Sequence, residues 1–399
     1  MEESFILQLS LELGLGGGSE CVAYELHRAW LALGLDARVL TSSVTEPEPQ
    51  GISYVASWLT LWGMRARWRH LAALFAVPLF TLLATWRAYR TRGSRIILSH
   101  GDSLIGDVCI VHAVNRASLA EKRRAGYYLW LLNPSNLWVT WRDWWMLRGG
   151  RYRRIVAISE RVRKQVKQHY RVPDERIVTI PNGINLSRYD PSNVKSRAEV
   201  RRSFGVSKDV PLLLFVGSQY RLKGLEFAIR ALAEMETKAV LIVIGGDIAT
   251  PYKKLAERLG VCDRVIFAGA RSDLPRIYPA ADALVLPTLY ETFALVCLEA
   301  MASGLPVLAT SVGGIEDYLI DGENGIHIQR DPHDIALKLD HVLNDAVLCQ
   351  RIRECGLTTA KNYAWEKIAK QYLKLFNELL SERARTVQGF ALPKPNIST

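Results

Sequence analysis

One pattern repeats through the second half of this chain, and it leaves few folds open. Short apolar runs at 212–216, 240–244, 265–268, 283–286 and 307–309 each give way to small or polar residues. The first runs into Gly217-Ser218, the second into Gly245-Gly246-Asp247, the third into Gly269-Ala270, and the last leads to Gly313-Gly314. Helical patterns follow. Apolar runs of this length without alternation read as strands buried on both faces, and strands alternating with helices read as a parallel sheet covered on both sides. Such a doubly wound domain binds its ligands beyond the carboxyl ends of the strands. The glycines mark that edge.

The first half carries a looser version of the pattern. Phe5-Ile6-Leu7-Gln8-Leu9 reads as a strand, Leu13 to Glu20 as a loop containing Gly16-Gly17-Gly18, and the residues through Leu33 as a helix. The loop is not G-x-G-x-x-G, because the third position falls on Ser19, so a dinucleotide fingerprint is disfavoured. Three glycines in a row still let a ligand approach the backbone and expose N–H donors at a helix start. Further strands are expected at 37–41, 52–55, 95–99, 107–111, 155–159 and 177–180. Two of them run into histidines, His100 and His112, which places both on the ligand edge. With 399 residues the chain suits two domains. We expect a first Rossmann-like domain over 1–180, a linker over 181–196 and a second such domain over 197–365. A C-terminal helix with a tail, 366–399, is expected to pack back toward the first domain.

The residue that stands out is Glu299. Its neighbours from Phe293 to Ala302 are almost all apolar or small, and a buried carboxylate is costly without a partner. Glu291 lies eight residues earlier, at the junction of strand and helix. Arg221 and Lys223 fall on the loop after 212–216, where cations would neutralise a diphosphate.

Charge and aromatic content are uneven. The net charge is +11, and 61–95 holds seven Arg and no acid. Ten of the eleven Trp precede residue 146. A basic, Trp-rich first half suits an anionic lipid surface or an anionic substrate. Nucleic acid is not expected, since no zinc-finger spacing or RNA-binding signature is present. The apolar run 71–86 is too short to span a bilayer and reads either as an interfacial helix or as core. Trp138, Trp141 and Trp145 share a helical face, read first as core packing, then as a membrane-facing stripe or an acceptor groove. Six scattered Cys without C-x-x-C read as thiols in a reducing compartment. The start, Met1-Glu2-Glu3-Ser4, lacks the basic region of a signal peptide. The expected location is cytoplasmic, at the inner face of the cell membrane.

Taken together, these residues resemble the GT4 family of retaining glycosyltransferases, which have the GT-B fold of two Rossmann-like domains facing across a cleft. The likeness rests on the E-x7-E pair Glu291 and Glu299, on 291–295 and 299–307, and on Gly313-Gly314-Ile315-Glu316, Pro181-Asn182-Gly183-Ile184 and Lys223-Gly224. The nearest-looking branch is the lipopolysaccharide-core glucosyltransferase type. The resemblance implies that Glu299 holds the ribose of a UDP- or GDP-linked sugar and Glu291 contacts the sugar. It implies that N–H groups of Phe293, Ala294 and Leu295 face donor oxygens, and that Lys223, helped by Arg221, stabilises the leaving diphosphate. Gly16, Gly17 and Gly18 would approach the phosphates. His112 would sit beside the sugar, with Glu20 and His100 on the acceptor side. No cofactor and no metal are implied, and the chain has no Asp-x-Asp. The expected acceptor is lipid-linked or a glycan. Ser218 and Ala294 depart from the family, which often has Arg and Gly there. Two other readings are a non-catalytic membrane-associated protein of the same fold and a sugar-nucleotide epimerase.

Overall fold

A computed structural model of the protein describes residues 6–16, 18–57, 66–91, 95–124, 126 and 134–389. Its first half contributes β1 (Ile6–Leu9), β2 (Glu12–Leu13), β3 (Ala37–Thr41), β4 (Ser43–Val44), β5 (Ile52–Tyr54), β6 (Ile96–Ser99), β7 (Val108–Val111), β8 (Arg154–Ala157) and β9 (Ile177–Thr179). Seven of these form one parallel sheet in the order β5-β3-β1-β6-β7-β8-β9, while β2 and β4 pair as a separate two-stranded ribbon. The order reverses between β1 and β6, which makes their carboxyl ends the crevice of this domain. β1 is in register with both neighbours, Ile6 opposite Ala37 on one side and Ile96 on the other. Its side chains are buried on both faces, and the one polar residue among them, Gln8, donates its amide N–H to the Ala23 carbonyl at 2.8 Å.

Among the described residues five helices cover this sheet: α1 (Gly18–Ala32), α2 (Ala66–Thr91), α3 (Asn115–Arg124), α4 (Pro134–Arg148) and α5 (Glu160–Tyr170). Ser159 caps α5, its hydroxyl accepting the Val162 N–H at 3.2 Å. No helix among the described residues is long and apolar enough to cross a membrane. The tryptophan face of α4 differs from the core role expected first. Trp141 and Trp145 are 44% and 36% exposed, and the indoles of Trp138, Trp141 and Trp145 pack on one another along the surface. The core side of α4 is taken instead by Met146 and Leu147.

The second half builds β10 (Leu212–Val216), β11 (Val240–Ile244), β12 (Val265–Gly269), β13 (Ala283–Leu286), β14 (Val307–Ala309) and β15 (Ile326–His327). They form a parallel sheet in the order β12-β11-β10-β13-β14-β15, with the reversal between β10 and β13. Around it lie α6 (Arg197–Ser203), α7 (Tyr220–Lys223), α8 (Leu225–Glu234), α9 (Thr250–Arg258), α10 (Leu274–Ile277), α11 (Leu295–Ala302), α12 (Pro332–Asn344), α13 (Ala346–Asn362) and α14 (Trp365–Gly389).

The two domains are joined twice. The chain passes forward through 181–196, where the Ile184 N–H donates to the Tyr363 carbonyl at 2.7 Å and Gly183 lies against the Trp365 indole. It then returns in α14. Trp30 of α1 packs on Tyr372 and Phe376, with ring centroids 6.0 and 5.7 Å apart. Farther along, Arg383 pairs with the buried Asp107 and Glu382 with Arg154.

Candidate active site

The donor side of the cleft is assembled at the reversal between β10 and β13. β10 ends at Val216 just before Gly217, and α7 follows as a single turn closed by Gly224 in the left-handed region, φ 79°. A Cβ on Gly224 would collide with the Pro287 carbonyl, so only glycine lets this turn rest against the end of β13. That contact sets Lys223 beside Glu291, and their side chains form an ion pair. Glu291 is 8% exposed, so the lysine is what makes its charge tolerable there. On the far side Gly313, φ 67°, lies so close to the Glu291 carbonyl that a Cβ would not fit. Arg221 is exposed, and its guanidinium lies 3.8 Å from where a Cβ on Gly126 would stand, so it reaches the first domain.

α11 begins from an unusual residue. Ala294 adopts the left-handed conformation, φ 58° and ψ 64°. Its carbonyl and that of Phe293 accept from the Tyr318 hydroxyl at 2.9 and 3.1 Å. The N–H groups of Phe293, Ala294 and Leu295 make no hydrogen bond among the described residues. Three open donors at a helix N-terminus favour an anion or a polar oxygen.

Glu299 is half-buried on α11, and it is not without partners. The Tyr278 hydroxyl donates to its Oε2 at 2.8 Å, and the Tyr189 hydroxyl also bonds to the carboxylate. Burial raises the Glu299 pKa, and the two tyrosines and the nearby Arg188 oppose that shift. Tyr189 belongs to the linker and Tyr278 to the turn after α10, so sequence spacing could not reveal the pairing. Burial, and after it the nearby Glu299 carboxylate, disfavours the thiolate of Cys21 on α1, which brings the first domain to this end of the site.

The first-domain side is organised by the reversal between β1 and β6. Gly16 lies in the loop, Gly18 opens α1, and Gly17 lies outside the described residues. The Ser19 hydroxyl donates to Glu20 at 3.1 Å. β6 and β7 are neighbours, so the histidines at their ends meet: His100 Nδ1 and His112 Nε2 are 2.8 Å apart. Burial pushes the His112 pKa down to about 4 and that of His100 well below the ordinary value. Both rings are therefore neutral near pH 7.

A charged cluster not expected from the sequence lies beside this pair. Arg142 of α4 is 3.1 Å from Asp143 and 3.9 Å from Asp102. The Leu11 N–H donates to Asp102 at 2.9 Å. Burial still raises the Asp102 pKa to about 6, against the pull of Arg142 and the Leu11 N–H. A cavity of about 250 Å³ lies among His100, His112, Asn115, Ser118, Arg142 and Asp143. Among the described residues no hydrogen bond or ion pair joins His112 to Glu291 or Lys223, so the cleft has two separate polar clusters. The described residues also contain no group of three or more His, Cys, Asp or Glu placed to hold a metal ion.

Comparison with known proteins settles the family. The model of Glycosyltransferase Family 4 matches residues 16–188, and that of Glycosyl transferases group 1 matches residues 196–358. The chain belongs to the group 1 and family 4 glycosyltransferases. Among curated relatives, an uncharacterized glycosyltransferase of Methanocaldococcus jannaschii is 34% identical over 56% of this chain and 59% of its own length. The D-inositol 3-phosphate glycosyltransferase of Thermobifida fusca is 32% identical over 59% of this chain and 57% of its own. The chain thus spans less than two thirds of the length of these relatives. Solved glycosyltransferases share the fold over nearly all of it. WaaG, a glycosyltransferase involved in lipopolysaccharide biosynthesis, superposes with a TM-score of 0.74 at 22% identity, covering 93% of this chain and 99% of its own. Anabaena Alr3699/HepE, solved with UDP and glucose, gives 0.70 at 18% identity, covering 94% and 100%. The architecture is GT-B, two Rossmann-like domains across a cleft.

Proposed function

We propose that this protein is a retaining, metal-independent hexosyltransferase that moves a sugar from a UDP- or GDP-linked donor to a lipid-linked or glycan acceptor. The observation that supports it best is the shape of the donor side. An ion-paired Glu291, three open N–H groups at the start of α11 and a tyrosine-held Glu299 follow one another along the edge of one sheet. Glu299 keeps lone pairs for ribose hydroxyls while Tyr189 and Tyr278 hold its carboxylate in place. Lys223 and the N–H groups offset the charge of the leaving diphosphate, with Arg221 closing over it. As Lys223 turns toward phosphate, Glu291 is released to accept from the sugar's hydroxyls. No side chain in the cluster is placed as an obvious nucleophile, which suits front-face transfer, the leaving phosphate oxygen taking the acceptor proton.

A thermal-shift screen with UDP-, GDP- and ADP-sugars tests the donor half of this reading. One nucleotide class should raise the midpoint, and Glu299→Ala should abolish the shift. No shift with any nucleotide overturns the proposal. Product analysis then separates a glycoside from an epimer.

The acceptor half includes an anionic membrane surface. On α2, Phe75, Leu82, Trp86 and Tyr89 are exposed along one face, between 52% and 76%. On α4, which packs against α2, Leu137, Trp141 and Trp144 are exposed as well. Arg90 lies over Trp86 at 4.3 Å and Arg151 over Trp145 at 3.7 Å. A groove of about 1040 Å³ between α3 and α4 is lined by Arg116, Arg123, Arg124, Leu137, Trp141 and Trp144. Exposed aromatics beside arginines suit the headgroup region of anionic lipid. Much of 61–95, which first suggested membrane contact, lies outside the described residues or has no described side chain. Vesicles containing anionic lipid should bind the protein at low salt, and Trp86→Ala with Trp141→Ala should weaken that binding. Equal retention on zwitterionic vesicles, or none on either, counts against it.

A further inference from the structure

The histidine pair carries more information than its 2.8 Å separation. Both rings are neutral, so one proton lies between His100 Nδ1 and His112 Nε2, and there are two ways to place it. If His112 donates, the remaining proton of His100 sits on Nε2. That atom is buried and has no hydrogen-bond partner, so an N–H would be orphaned. If His100 donates from Nδ1, its Nε2 is left as a bare lone pair. Buried N–H groups without a partner are rarer and costlier than unused acceptor positions. The second arrangement wins. His112 Nε2 is then the acceptor, and the proton of His112 must reside on Nδ1. His112 Nδ1 makes no hydrogen bond among the described residues and is not among the buried unpaired atoms, so it is open to the cleft. The ring planes lie within 9° of each other with centroids 5.1 Å apart, a separation that fits two rings joined edge to edge by an N–H···N bond.

We propose that His100 is a positioning residue that holds His112 in its Nδ1–H tautomer, so that His112 meets a sugar hydroxyl as a neutral hydrogen-bond donor. Free neutral imidazole side chains favour the opposite tautomer, so the protein has to impose this one. His100 is rigid enough to do so. Its backbone N–H donates to the Leu9 carbonyl at 3.1 Å. The Ser99 hydroxyl accepts the N–H groups of Gly101, Asp102 and Ser103 at 3.2, 3.0 and 3.1 Å, which fixes the turn that carries it. The arrangement also closes one role. With Nε2 occupied and Nδ1 protonated, His112 offers no lone pair to the cleft and cannot take the acceptor's proton. It orients a hydroxyl, and the base is elsewhere.

The kinetic part of this inference rests on the proposed sugar transfer; the tautomer does not. Nitrogen-15 spectra of full-length protein with labelled histidine read the tautomer directly, His112 being assigned by its loss in His112→Asn. The wild type should show His112 protonated on Nδ1 and bare on Nε2. His100→Phe should return it to the Nε2–H form and lower kcat roughly ten-fold, with the donor KM changed less than about two-fold. His100→Asn, whose amide nitrogen stands near the position of Nδ1, should restore both the tautomer and most of kcat. If His112 in the wild type carries its proton on Nε2, the inference is wrong whether or not transfer is detected. It is equally wrong if His100→Phe folds, shifts the tautomer and keeps full kcat in an enzyme shown to transfer. Should His100→Phe not fold, the wild-type spectrum and His100→Asn still decide it.

Discussion

Lys223 and Glu291 neutralise each other where neither is well hydrated. Their side chains are only 20% and 9% exposed. Removing one partner leaves the other charge stranded. Lys223→Met is expected to cost about 3 kcal/mol of stability, while Lys223→Met with Glu291→Gln recovers most of it, because a neutral pair needs no counter-charge. Urea unfolding measures both, and equal losses in the two variants would show that the pair contributes no coupling. Both variants should lose about a hundred-fold in kcat if Lys223 meets the diphosphate. The other cluster governs acid sensitivity. His112 has its pKa lowered to about 4, so the unfolded chain takes up its proton first as pH falls. Its contribution is full above about pH 6.5 and declines toward pH 4, by about 2 kcal/mol at pH 5. His100 acts in the same direction. Asp102, raised to about 6, has the opposite sign: its contribution is full below about pH 4 and is lost as pH rises through 6. The two histidines outweigh the single carboxyl, so the protein should weaken between pH 7 and pH 5. His112→Asn should flatten that slope and Asp102→Asn should steepen it. An unchanged slope in His112→Asn would mean that its ring is not protected from protons.

At the scale of elements, α11 is held in place by a residue working against its own preference. Ala294 sits in the left-handed region, which costs a residue with a Cβ about 1–2 kcal/mol, and glycine avoids that cost. Ala294→Gly is therefore expected to raise stability by about 1 kcal/mol once glycine's extra chain entropy is deducted. A lower urea midpoint would show that the Ala294 methyl packs more usefully than its conformation costs. The same loop shows what a sequence can and cannot disclose. Most strands of the two sheets were readable because they are apolar runs stopped by glycine or small polar residues, and Gly217, Gly245 and Gly269 do have positive φ at strand ends, whereas β15 was missed because two residues show no pattern. The Glu291–Glu299 spacing was readable because both lie on one strand–helix unit. The partners of Glu299 were not, because Tyr189 and Tyr278 reach it from segments 110 and 21 residues away in sequence. Arg142, Asp102 and Asp143 were missed for a related reason. The tryptophans of α4 drew attention to its exposed face, while its charged residues do their work on the face turned inward. The turn α7 was expected as loop, since four residues are too few to show a helical period.

At the scale of the molecule, α14 decides whether the two domains behave as one. It starts beside the linker, where Trp365 covers Gly183, and ends on the first domain, where Arg383 supplies the counter-charge of Asp107. In between, Tyr372 and Phe376 are 1% exposed, and both pack on Trp30. The largest cluster of buried apolar residues therefore runs through both domains without a break. A cluster of that kind should melt in one step, so the wild type is expected to show a single thermal transition with coincident probes. Tyr372→Ala with Phe376→Ala empties the junction. Each truncation of a buried aromatic costs about 3–5 kcal/mol, and here the loss falls on the first domain as well, because Trp30 packs on both rings. Two transitions should then appear, the lower one followed by the emission of the first-domain tryptophans. A nucleotide diphosphate ought to raise the upper transition and leave the lower one in place, since most of the proposed donor contacts belong to the second domain. If the nucleotide raises both equally, the domains are still coupled through the cleft, and α14 is not what joins them.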